Sequence, residues 1–134
     1  MLERICLTLF IGLTFASAAN AKMKLEVLAM AMLCDMNQEW DDPYIVSGND
    51  EEFEIRTISP SYLDGLTAIR IKSREMLPGA YTNDIVMLRC IGGQECMEVD
   101  SGVGSEHRAR VNFMVCDKAA AKASRDALNG LFLE

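Results

Sequence analysis

His107 is the only histidine in the chain, and it stands in Ser105-Glu106-His107-Arg108. A hydroxyl, a carboxylate and an imidazole are the parts of a nucleophile, base and orienting acid. Neighbours along an extended strand, however, point to opposite faces. This run therefore does not assemble a relay, and His107 reads as a solvent-exposed side chain. No Ser-x-x-Lys, Gly-x-Ser-x-Gly or His-Glu-x-x-His occurs. Gly102-Val103-Gly104 lacks a third glycine and a preceding βαβ unit, so it is no nucleotide fingerprint. Asp35-Met36-Asn37-Gln38-Glu39 opens like a calcium loop. Trp40 then fills the glycine position and Val46 the final carboxylate position, so the EF-hand pattern fails. What remains for chemistry is a carboxylate pair for hydrolysis or soft thioether ligands for Cu(I). Met23, Met30, Met32 and Met36 supply the thioethers, and core filling is the ordinary use of such residues. No cofactor and no metal site follow from these residues, and the chain reads as non-enzymatic.

The five cysteines divide by position. Cys6 lies in a run, Ile5–Phe15, that is apolar apart from Thr8, Gly12 and Thr14. Small residues follow, and Ala19-Asn20-Ala21 fits a small-x-small cleavage rule. This is the layout of a secretory signal peptide over residues 1–21, with Lys22 as the mature N-terminus. The run is shorter than the ~20 residues that span hydrocarbon, so no stable membrane anchor is expected after cleavage. Residues 22–134 then form a single small domain in the periplasm or outside the cell. Cleavage removes one acid, Glu3, and one base, Arg4, and leaves the net charge at −7. Cys34, Cys90, Cys96 and Cys116 remain. An even number in an exported chain reads as a disulfide framework, and none of the four makes a Cys-x-x-Cys pair. If Gly92-Gly93-Gln94 is a three-residue hairpin loop, Cys90 faces Cys96 within bonding reach. That pairing leaves Cys34 for Cys116.

The elements that must hold these residues follow from periodicity. Phe53–Ile58, Leu66–Lys72, Glu95–Val99 and Arg108–Cys116 alternate apolar and polar side chains. Ile85–Ile91 is nearly continuous apolar, as in a central strand. Ser59-Pro60, Pro78-Gly79 and Gly92-Gly93 punctuate them. Short spacing without intervening helices predicts antiparallel pairing. Asn37–Glu52 reads as polar and irregular, and Ser101–Glu106 as a glycine-rich loop. Leu25–Met36 fits both a helical face (Leu25, Leu28, Ala29, Met32, Met36) and a strand face, and its Ala, Met and Leu content favours helix. After Asp117 as N-cap, Ala120, Ala123, Ala127, Leu128 and Leu131 share one helical face, and Lys118, Lys122, Arg125 and Asn129 the other. The expected fold is α+β: an antiparallel sheet of about five strands, a C-terminal amphipathic helix on one face, a possible N-terminal helix, and disulfide staples.

With 20 acidic against 13 basic residues, a nucleic-acid partner is not expected. A binding domain for another protein is, and long-range steering favours a basic one. An inhibitor or immunity-type protein is the sharpest form of that expectation. A methionine-based copper or small-ligand carrier and a small carboxylate-dependent hydrolase are the alternatives. The expected binding surface is Trp40, Asp41 and Asp42 with Asp50, Glu51 and Glu52. Trp40 is the only tryptophan, a residue type enriched at interface hot spots, and it sits among loop carboxylates.

Overall fold

Side chains that alternate along a strand give it one wet and one dry face, and the strands of this chain form two sheets. The computed structural model describes residues 24–33 and 44–133. Residues 24–32 form helix α1. The strands are β1 (Tyr44–Gly48), β2 (Glu52–Thr57), β3 (Ala68–Lys72), β4 (Ala80–Thr82), β5 (Ile85–Arg89), β6 (Met97–Ser101), β7 (Gly104–Arg108) and β8 (Arg110–Met114), and helix α2 is Lys118–Phe132. A five-stranded sheet runs in the order β1-β2-β3-β6-β7 and a three-stranded sheet in the order β4-β5-β8. Every pair is antiparallel. The fold is α+β, as the alternation implies.

The dry faces meet in one core. Phe53, Ile55, Ile69, Ile71, Met97 and Val99 come from the large sheet, and Val86, Leu88, Val111 and Phe113 from the small one. Leu28 and Met32 of α1 are also fully buried there, while Val27 and Met30 on the opposite face are exposed. The helical reading of this segment therefore holds for the described part, and Met36 lies outside the described residues. Tyr44 ties the sheets together. Its hydroxyl lies 2.6 Å from the Met114 carbonyl oxygen and 2.8 Å from that of Tyr62. Its ring meets Phe113 edge-on at 5.6 Å. Burial pushes the Tyr44 phenol above its ordinary range, so it stays a neutral donor.

Three sequence expectations change. Tyr44–Gly48, inside the stretch read as irregular, is an edge strand. Gly104–Arg108, read largely as loop, is the other edge of the large sheet. Ser101 pairs with Gly104 across a Gly102-Val103 turn, so the glycines make a hairpin rather than end one. β5 and β8 leave the expected five-stranded meander for the second sheet, with β4 beside them. The Asn83-Asp84 turn between Thr82 and Ile85 is the signal that announces β4. Asn83 takes the left-handed conformation there, φ 52°, which asparagine tolerates better than most residues.

The Cys90–Cys96 disulfide forms as expected, with Cα atoms 5.9 Å apart, but not across a hairpin. β5 pairs with β4 and β8, and β6 with β3 and β7. The chain between the cysteines turns through Ile91–Gly93 with Gly92 at φ 67° and Gly93 at φ 72°. It passes from one sheet to the other, and the bridge clamps that passage. Cys116 is disulfide-bonded too; its partner, and the expected partner Cys34, lie outside the described residues.

Helix α2 begins as its sequence implies, with the Asp117 carboxylate accepting from Ala120 N at 2.7 Å. Its buried face is Ala121, Ser124, Leu128, Leu131 and Phe132, one position on from the expected Ala120, Ala123 and Ala127. The larger side chains set the rotation: burying Phe132, which stacks on Phe53 at 6.4 Å, removes far more apolar surface than burying Ala123. Asn129, expected outside, accepts from Gly79 N at 2.7 Å, and Arg125 lies over the Tyr81 ring at 4.9 Å.

Candidate functional site

The wet face of the five-stranded sheet gathers the charges that strand alternation turns outward. The pairing register lines Ser47, Glu54, Arg70, Glu98 and His107 into one row across all five strands. Arg70 is its centre. Its guanidinium donates to Glu98 Oε1 at 2.6 Å and to Asp100 Oδ2 at 2.7 Å, and stands 3.9 Å from Glu54 Oε1. Arg56 donates to that same Glu54 oxygen at 2.8 Å. Ser105 Oγ donates to Asp100 Oδ1 at 2.7 Å. The bonds from Arg70 and Ser105 hold the Asp100 carboxyl below the ordinary carboxylate range, and the bond to Asp100 holds Arg70 above its own.

Both shifts favour the charged forms. A general acid needs a carboxyl pushed the other way, so Arg70 and Asp100 form a fixed ionic lattice and not a proton-transfer couple. Ser47 and His107 sit on opposite edge strands, four strand spacings or about 19 Å apart, and cannot act as nucleophile and base together. His107 is exposed on β7, with Nε2 4.0 Å from Glu98 Oε2.

A cleft of about 520 Å³ opens over one end of this face. Glu52, Glu54 and Glu98 border it from the sheet, Glu75 and Glu95 from the adjoining turns, and Arg70 and Lys72 are its two permanent cations. Gly48 and Cys96 lie at its wall. Gly48 is required there: it has φ +117°, and a Cβ would stand 2.5 Å from the Glu52 carbonyl oxygen and 2.8 Å from Phe53 Cα.

Of the expected binding residues, Asp50 and Glu51 occupy the β1–β2 turn and Glu52 opens β2. Asn49 closes that turn, its side-chain oxygen accepting from Glu51 N and Glu52 N, both at 3.0 Å. Ser73 pins it from below, Oγ donating to the Asp50 carbonyl at 2.5 Å and N donating to the Glu51 carbonyl at 2.9 Å. Glu52 reaches the large cleft, and Asp50 and Glu51 border a neighbouring one of about 460 Å³ beside Lys72, Arg74 and Phe132. Trp40, Asp41 and Asp42 lie outside the described residues. Arg70, Glu98 and Asp100 were missed by sequence reasoning. Their outward positions were readable, but their convergence depends on β3 pairing with β6, 28 residues apart at the Arg70–Glu98 contact.

Two of the four methionines weighed for copper are described. Met30 is 70% exposed and Met32 1%, so α1 turns their thioethers apart. Among the described residues no group of three or more His, Cys, Asp or Glu side chains is placed to hold a metal ion, and no helix is long and apolar enough to cross a membrane. Compared with protein-family models, curated proteins and solved structures, the chain matches none.

Proposed function

We propose that this protein is an exported, non-enzymatic binding domain that recognises a basic protein partner through the open face of its five-stranded sheet. An inhibitor or immunity-type role is the sharpest form of that reading. The observation that supports it is the cleft over that face, where five carboxylates meet two permanent cations and Arg70 is ion-paired with Glu98 and Asp100. Such a surface offers fixed complementary potential, which speeds encounter and selects a partner of opposite sign. Export rests on the leader-like residues 1–21 and on the disulfide framework.

Affinity capture from the native cell envelope with the oxidised protein tests the reading. The captured partner should be basic, and its association rate should fall steeply as salt is raised from low to physiological ionic strength. An acidic partner, or binding indifferent to salt, sinks it. Intact-mass analysis of exported material should show Lys22 as the first residue, and retention of residues 1–21 would remove the compartment argument.

A further inference from the structure

The two sheets treat their outward arginines differently. On the five-stranded sheet, Arg56 and Arg70 each meet a carboxylate. On the three-stranded sheet, Leu88 and Val111 are fully buried, so the arginines next to them, Arg89 on β5 and Arg110 on β8, turn outward, and both are exposed. The pairing register sets these two directly opposite each other. Like charges directly opposed destabilise a ladder, and β4, β5 and β8 hold no acid to offset them. Among the described residues neither guanidinium makes an ion pair or a hydrogen bond, and neither does the side chain of Asn112, two residues from Arg110 on the same face. In a chain with 20 acidic and 13 basic residues, this cationic pair stands uncompensated.

Directly opposed Cβ atoms on antiparallel strands are about 5 Å apart, so both guanidinium groups have the reach to close on one small anion. A phosphate monoester matches them. It is dianionic near neutral pH and offers three acceptor oxygens to planar, bidentate donors. Beyond the arginines the same face continues through Met87, Ile85 and Met114, all half-buried, which gives a carbon skeleton an apolar surface to lie on.

We propose that Arg89 and Arg110 hold the phosphate group of a soluble phosphate monoester with an apolar body, with Asn112 donating from the adjoining row. A membrane is the less suited source of that group, because a net charge of −7 sets the molecule as a whole against an anionic lipid surface. The site lies on the other sheet from the acidic cleft and is independent of the basic-partner reading.

Inorganic phosphate and hexyl phosphate test this. Each is titrated into the full oxidised chain at about pH 7.5, with ionic strength held constant by chloride, and followed by ¹⁵N–¹H NMR. Hexyl phosphate should give saturable shifts centred on Arg89, Arg110 and Asn112, and should bind at least threefold tighter than inorganic phosphate. Arg89→Gln/Arg110→Gln should weaken binding at least tenfold, while Lys118→Gln/Lys122→Gln, with the same change of charge on α2, should alter it less than twofold. Arg89→Lys/Arg110→Lys keeps the charge and loses the planar forks, and should still weaken binding at least threefold. Thermal melts confirm folding of each variant, and hexyl phosphate should raise the melting temperature of the unaltered protein but not of Arg89→Gln/Arg110→Gln. Shifts centred elsewhere, equal weakening in the two glutamine variants, or full affinity in the lysine variant overturns the site. Equal affinity for the two phosphates overturns the apolar body. Binding to phosphatidylglycerol vesicles without binding to hexyl phosphate overturns the soluble ligand.

Discussion

At Tyr44 a single hydroxyl joins the two sheets, and removing it isolates that tie. Tyr44→Phe keeps the ring against Phe113 and removes the donor to the part-buried Met114 carbonyl. It should cost about 1–1.5 kcal/mol in urea unfolding, and an unchanged midpoint would show that the bond contributes nothing. Gly48 answers a different constraint. Gly48→Ala places a Cβ into backbone atoms at 2.5 and 2.8 Å with φ at +117°, so a loss of about 3 kcal/mol is expected by the same measurement. Asp100 sets a pH dependence. Its folded-state carboxyl is held below the unfolded value by Arg70 and Ser105. The stabilisation is therefore complete above the unfolded pKa, near 3.9, and fades as pH falls through the lowered folded one. Asp100→Asn should flatten the stability profile on that acid limb, and an unaltered slope would show that Asp100 is not linked to folding. The exposure of the pair keeps the effect small.

Helix α2 shows how element and environment divide the work. Asp117 is legible in the sequence as an N-cap because a carboxylate ahead of a helical run has an orphan N–H to accept. Asp117→Ala should cost about 1 kcal/mol. Ser124 was not legible as a core position, because its residue type belongs to surfaces, yet it is fully buried and its hydroxyl finds no partner among the described residues. Ser124→Ala should hold or raise stability by up to about 1 kcal/mol, and a drop would mean the hydroxyl has a bonding role. The strands repeat the lesson. Phe53, Ile55, Val111, Phe113 and Val115 were readable as inward from alternation alone. Which sheet each strand joins was not, because period-two alternation fixes a face and is silent about neighbours. The candidate site inherits that limit: its carboxylates were readable as outward, and only the β3–β6 pairing makes Arg70 their common centre.

On the scale of the whole molecule, the passage between β5 and β6 decides the architecture. Two strands consecutive in sequence leave one sheet and enter another, and a disulfide seven residues from end to end closes the corner. By loop entropy alone, replacing Cys90 and Cys96 with serine should cost about 2 kcal/mol. An unchanged urea midpoint would show that the corner holds without it. The same closure has a mechanical side. A molecule stretched from points flanking the corner releases chain length as it unravels, and the bridged residues are withheld from that release. Six peptide steps extend to about 21 Å, whereas the bridged ends stay 5.9 Å apart. The oxidised protein should therefore yield about 15 Å less contour length than the reduced one, so the corner can be counted directly in a force–extension trace.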